Sequence, residues 1–143
     1  MTPERVLLVD DEVEFVAALS ERLETRGLVV ETADSGPKAL AKIREARFDA
    51  VVLDLAMPGM DGIQTLRAMR DHNPDLQVIL LTGHATLQKG IEAVKLGAID
   101  FMEKPAAIEV LVERIRQARA TSAELTEKKT DRIIKDILAT KGW

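Results

Sequence analysis

Five short apolar runs, each followed by a segment of helical period, constrain this chain more than any other feature. The runs cover residues 5–9, 28–33, 49–54, 76–82 and 99–102, and they are rich in Val, Ile and Leu. Most carry apolar residues at consecutive positions, so both faces of each strand must be buried. Strands of that kind belong in a parallel sheet covered on both sides. The spacing predicts a first helix over residues 13–26, with Val16, Leu19 and Leu23 on one face and Gly27 as its stop. A second helix opens at Ser35-Gly36-Pro37, which offers a hydroxyl cap and an early proline, and turns Leu40 and Ile43 inward. A loop over residues 57–62 precedes a third helix marked by Ile63, Leu66 and Met69. The fourth lies within residues 83–96, with Leu87, Ile91 and Val94 expected inward and Gly97 ending it. The fifth covers residues 108–118, with Leu111, Val112 and Ile115 inward. Right-handed crossovers then give a doubly wound α/β fold: a five-stranded parallel sheet with helices on both faces.

The last segment reads differently. Thr121-Ser-Ala-Glu124 matches a capping box, and Leu125, Ile133, Ile134, Ile137 and Leu138 form a partial apolar stripe. Between them the stretch 126–132 is wholly polar. The expected organisation is a domain over residues 1–119 and a C-terminal helical extension or linker over 120–143. The extension either continues the fifth helix or forms a second helix after a break.

Composition limits function. The chain has 20 Lys/Arg against 24 Asp/Glu, a net charge of −4, and no cysteine. Disulfides and thiolate metal sites are excluded, and hard, oxygen-ligated cations are not. Residues 1–106 hold 12 basic against 18 acidic side chains, and residues 107–143 hold 8 against 6. An acidic body with few aromatics is poorly suited to gripping nucleic acid directly. No apolar run approaches the roughly 20 residues of a membrane helix. The N-terminus lacks the layout of a signal peptide, so a cytoplasmic protein is expected.

The chemistry gathers where the strands end. In a parallel sheet all carboxyl ends share one rim, and ligands bind there near the point where strand order reverses. The first strand ends at Asp10-Asp11, the third at Asp54, the fourth at Thr82, and the fifth just before Lys104. Clustered carboxylates repel one another unless a cation neutralises them. Mg²⁺ prefers oxygen ligands and commonly combines one or two carboxylates with a phosphate. Asp54 is the candidate nucleophile, because an ionised carboxylate can attack phosphorus to form an acyl phosphate. Phosphoryl transfer needs positioning and charge neutralisation more than a base. Lys104 supplies a positive charge, and Thr82 a hydroxyl donor.

Asp10-Asp11, the stretch from Asp54 through Pro58 to Gly62, Thr82-Gly83, and Phe101-Met-Glu-Lys104-Pro105 together resemble the receiver domain of two-component response regulators, over about residues 4–119. The resemblance implies a flavodoxin-like receiver fold and a set of roles. Asp54 is then the phosphoacceptor. Asp11 and Asp54 ligate Mg²⁺ (or Mn²⁺) directly, Asp10 acts mostly through water, and the backbone carbonyl of Ala56 is a further ligand. Thr82 and Phe101 form the switch pair, Lys104 contacts the phosphoryl group, and the Lys104–Pro105 bond is cis. Ala56 and His84 occupy positions that vary in the family and tune the lifetime of the phosphorylated state. Ala106 stands where a larger residue is common.

The implied function is a phosphorylation-driven switch rather than a turnover enzyme. It would catalyse only its own phosphorylation and slow dephosphorylation. A sensor histidine kinase or phosphotransfer protein would donate to Asp54. An output protein would bind the face of the fourth helix, fifth strand and fifth helix, and a homodimer through the extension is a further expectation. Residues 82–85 and 95–105 resemble receivers of transcription-activator regulators, so the chain is a stand-alone regulator or a fragment of one. Two alternatives compete. An aspartyl-nucleophile phosphatase or dehalogenase would place a second acid two residues after Asp54, where this chain has Ala56. A phosphorylation-independent binding module usually lacks an acidic-pair residue, the acceptor or the lysine, all present here.

Overall fold

The computed structural model describes residues 2–57, 62–83, 87–105 and 107–140, with the backbone alone over 87–90. Five strands and five helices alternate: β1 (Arg5–Val9), α1 (Val13–Thr25), β2 (Val29–Ala33), α2 (Gly36–Glu45), β3 (Ala50–Leu53), α3 (Gly62–His72), β4 (Val78–Thr82), α4 (Leu87–Lys95), β5 (Asp100–Glu103) and α5 (Ile108–Thr140). All neighbouring strands pair in parallel, in the order β2-β1-β3-β4-β5. Strand order reverses at β1, which has β2 on one side and β3 on the other.

Alternation along each strand divides the core into two layers. Leu7, Val9, Val51, Leu53, Val78 and Leu80 pack against α2, α3 and α4 through Ile43, Leu66, Met69 and Ala93. Val6, Leu8, Val52, Ile79 and Leu81 face α1 and α5 through Leu19, Leu23, Leu111 and Ile115. The sheet is therefore apolar on both faces because both are covered.

Helix signals act where the sequence puts them. Ser35 caps α2, its hydroxyl accepting from the Lys38 N–H at 3.4 Å, with Pro37 in the first turn. Gly27 and Gly97 follow α1 and α4 with φ of 88° and 106°, a backbone shape that costs residues with a Cβ.

Two expectations need correction. Ile91 and Val94 do not face inward: each is 49% exposed, and among the described side chains of α4 Ala93 is the one fully buried. At 100° per residue, Ala93 lies about 160° from Ile91 and about 100° from Val94, off the stripe they form. The side chain of Leu87 lies outside the described residues. The capping box at Thr121–Glu124 starts no helix. Residues 108–140 form one uninterrupted helix, so no free helix end exists at 121 for a cap to satisfy.

Ala118 is the last buried residue of α5; Ser122 and Leu125 are half-buried, and the helix continues beyond them. The polar stretch sustains itself locally. Thr126, Thr130 and Thr140 donate back to the carbonyls of Ser122, Thr126 and Asp136, and Lys128 pairs with Glu124 one turn before it. Lys129 reaches back to Asp75 at the α3–β4 connection. Ile133, Ile134, Ile137 and Leu138 are all at least half exposed. Among the described residues, no helix is long and apolar enough to cross a membrane.

Candidate functional site

Each rim residue is locked by a backbone bond just past the paired strands. The Asp10 N–H donates to Ala33 O at 3.0 Å, the Asp54 N–H to Val9 O at 2.9 Å, and the Lys104 N–H to Thr82 O at 2.9 Å. The side chains are thus aimed by the sheet itself. They converge at the switch in strand order, the expected crevice of an open α/β sheet.

The centre is an ammonium among carboxylates. Lys104 Nζ lies 2.6 Å from Asp10 Oδ2, 3.2 Å from Glu12 Oε1 and 3.3 Å from Asp54 Oδ2. Asp54 is 3% exposed and Asp10 7%, whereas Glu12 is open to solvent. The remaining Asp54 oxygen, Oδ1, accepts the Ala56 N–H at 2.9 Å, and Asp10 Oδ1 accepts the Glu12 N–H at 2.9 Å. These bonds hold both carboxylates in place.

Electrostatics follow from burial. Burial pushes the Asp10 carboxyl above the usual carboxylate range, and the nearby Asp54 charge adds to this, against the hydrogen bonds from Lys104 and the Glu12 N–H. For Lys104, burial pulls the value down. The hydrogen bond and charge of Asp10, the Asp54 charge and the Glu12 contact outweigh that, so the amine sits above the ordinary lysine value. Lys104 is held firmly as a cation.

The structure brings together Asp10, Asp54, Thr82 and Lys104 as expected. It adds Glu12: carboxylate oxygens of Asp10, Glu12 and Asp54 lie within 4.8 Å of one another. Asp11 contributes no oxygen to that group; it is half-buried one residue further on. The acidic run Asp10-Asp11-Glu12 was visible in the sequence. Its third member joins because Asp10 holds the Glu12 N–H at the start of α1.

Thr82 is 1% exposed, and its Oγ1 is buried with no hydrogen-bond partner among the described residues. A buried hydroxyl without a partner costs free energy, which fits a group kept for an incoming acceptor. Phe101 is half-buried against the core layer of α2, α3 and α4. The Lys104–Pro105 bond is cis. The side chain of Ala56 is exposed and offers no acid. His84, Ala106 and residues 58–61 of the loop after β3 lie outside the described residues.

An all-oxygen donor set suits a hard divalent cation. The ammonium already standing among the acids shows that the pocket favours positive charge. The partnerless Thr82 hydroxyl on the same rim fits a phosphoryl oxygen. The residues present therefore fit a Mg²⁺ ion together with a phosphoryl group.

Comparison with known proteins gives the same picture. The family model for the response regulator receiver domain matches residues 6–116. The transcriptional regulatory protein ZraR of Salmonella typhimurium is 38% identical over 124 residues, covering 84% of this chain and 28% of ZraR. The C4-dicarboxylate transport transcriptional regulatory protein DctD of Pseudomonas aeruginosa is 35% identical over 129 residues, covering 90% of this chain and 28% of DctD. The chain thus spans little more than a quarter of the length of these curated relatives. Among solved structures, the receiver domain of NtrX from Brucella abortus superposes with a TM-score of 0.76 at 31% identity, covering 81% of this chain and 98% of that one.

Proposed function

The chain belongs to the response regulator receiver domain family, whose members are phosphoacceptor signalling switches, and on that footing we propose that Asp54 is its phosphoacceptor. One observation carries the assignment: Asp54 is a buried carboxylate with one oxygen fixed by the Ala56 N–H and the other 3.3 Å from an ammonium. That arrangement presents a positioned anionic nucleophile beside a group able to neutralise an arriving dianion.

In the proposed reaction an Asp54 oxygen attacks the phosphorus of a phosphohistidine on a sensor kinase or phosphotransfer protein. The new bond is Asp54 O–P, and the bond that breaks is P–N. Its electron pair stays on the imidazole nitrogen, which takes a proton from solvent. Lys104 then turns from the carboxylates toward the phosphoryl oxygens, and the Thr82 hydroxyl donates to one of them. Asp11 and Asp54, with the Ala56 carbonyl, would hold Mg²⁺ directly, and Asp10 would act through water, with Glu12 adding negative charge at the rim. When bound, the ion supplies further neutralisation of the transferring group.

The switch is proposed to run through Thr82 and Phe101. Drawing Thr82 toward the phosphoryl group empties space beside β5, and the half-buried ring of Phe101 follows it inward. Ile91 and Val94 of α4, Ile99 just before β5 and Val110 of α5 are exposed apolar side chains, which supports an output protein docking there. The exposed stripe at Ile133, Ile134, Ile137 and Leu138 supports self-association through α5. Action in the cytoplasm follows from a kinase donor. Because the relatives are longer, the chain acts as a stand-alone regulator or as the receiver part of an activator-type protein.

Intact mass after incubation with phosphoramidate and Mg²⁺ tests the acceptor. Wild type is expected to gain one phosphoryl group and Asp54→Asn none. Equal labelling of both would move the acceptor elsewhere.

A further inference from the structure

Lys104 has one contact that the acid pocket does not explain. Its Nζ sits 4.3 Å from the centroid of the Phe15 ring. Phe15 lies in the first turn of α1, half-buried and packed on the core layer that α1 shares with α5. The same ring lines a cavity of about 10 Å³ beneath Asp10 and Asp54, together with Leu19, Val52 and Leu81. One side of the ring is thus fixed by the core, and the cation lies over it.

We infer that Phe15 is a positioning residue for Lys104, holding the ammonium over the acceptor carboxylate through a cation–π contact. This rests on the reading of Asp54 as phosphoacceptor and goes beyond it, because it assigns a role to an apolar side chain outside the acid cluster.

The argument is one of relative constraint. A lysine side chain has four flexible carbons and considerable rotamer freedom. Its three N–H donors meet Asp10, Glu12 and Asp54. Glu12 is 61% exposed on its side chain, so water screens that pair. The Asp54 contact changes as soon as the carboxylate is esterified. The ring does neither: it bears no titrating group and is anchored by α1. A desolvated cation over an aromatic face keeps its attraction, and the Lys104 side chain is only 9% exposed. Phe15 therefore gives the ammonium a constant bearing as it passes from the carboxylates to a phosphoryl oxygen. Pre-set orientation of this kind lowers the barrier to transfer.

Mere core filling is the competing account, and variants with and without a ring face separate the two. Phe15→Leu keeps an apolar side chain without a π face; Phe15→Tyr and Phe15→Trp keep the face. Phosphorylation by phosphoramidate with Mg²⁺ is expected to slow about fivefold in Phe15→Leu, the factor a contact of this class supplies, and to stay near wild type in the ring-bearing variants. In a Lys104→Met background, Phe15→Leu is expected to produce no further slowing. Equal slowing in the leucine and tyrosine variants, or an undiminished leucine effect without Lys104, would overturn the role.

A readout without phosphorylation tests the contact itself. The ε-methylene protons of Lys104 should be shifted upfield by the ring current in wild type and in Phe15→Tyr. They should return to the free-lysine position in Phe15→Leu. An unshifted wild-type resonance overturns the inference directly. If no protein in the series takes a phosphoryl group, the acceptor reading fails and the role falls with it, while the resonance still decides the contact.

Discussion

Asp10 carries much of the electrostatic cost of the pocket. It is 7% exposed, and burial, aided by the Asp54 charge, raises its pKa despite the 2.6 Å contact to Lys104. A carboxyl whose folded value exceeds its unfolded one adds stability below the unfolded value and loses it as pH rises through the folded value. At neutral pH the ionised group therefore opposes folding relative to a neutral one of the same shape. Asp10→Asn is expected to be more stable than wild type near neutral pH, on the order of 1 kcal/mol, the usual scale of a single substitution. The gap should close as pH falls through the Asp10 titration, because wild type then becomes neutral there too. Urea unfolding in EDTA at about pH 7 and about pH 3 checks this, the first well above the ordinary aspartate value of about 3.9 and the second below it. Equal or greater stability of wild type near neutral pH would show that the lysine contact offsets burial. At this scale the sequence was informative wherever a polar residue follows an apolar run: Asp10, Asp54 and Thr82 close their strands, and Lys104 follows the fifth. Glu12 was not legible as a pocket residue, since its approach to Lys104 depends on how Asp10 captures its N–H. The Phe15–Lys104 contact spans 89 residues, and only the packing of α1 beside the rim creates it.

Among the elements, α3 sets the loop that carries the acceptor. Its first residue, Gly62, lies so close to that loop that an added Cβ would stand 2.6 Å from Leu55 Cα and 2.9 Å from Leu55 O. Both are backbone atoms and cannot turn aside. Gly62→Ala is expected to destabilise by about 1–3 kcal/mol, the range for forcing atoms into a packed site. It should also slow phosphorylation, because Leu55 is bonded directly to Asp54. Thermal unfolding and adduct formation measure the two effects. An alanine variant with wild-type stability would mean that the helix is free to shift. Strand and helix assignment was legible because period and glycine stops agree along the chain, as at Gly27 and Gly97. The inward face of α4 was not. Ile91 and Val94 are its most apolar described side chains, yet the sheet is met by Ala93. Periodicity finds the apolar stripe of a helix, and it cannot tell a stripe that packs on the core from one left free on the surface.

Across the whole molecule, stability and reach are separated along α5. Its buried residues stop at Ala118, and everything from residue 126 to 140 is exposed. Lys129–Asp75 is the ion pair that ties this stretch to the body among the described residues. Removing residues 127–143 should therefore lower unfolding stability by less than about 1 kcal/mol, the scale of an exposed ion pair. Urea unfolding of the shortened and full chains measures it. A loss of several kcal/mol would make the extension part of the body's fold. The continuity of α5 was not legible, because a polar run such as 126–132 gives no apolar period and is held by local bonds within the helix and the single tie from Lys129 to Asp75. A continuous helix of this kind has a mechanical consequence. From Ala118 to Thr140 it extends about 33 Å at 1.5 Å per residue. It acts as a lever arm whose fulcrum is the patch where α5 meets the sheet. A pivot of about 10° at that fulcrum swings the far end through about 6 Å for such a length. Atomic rearrangement around Lys104, four residues before α5 begins, would reach the distal turn with mechanical gain.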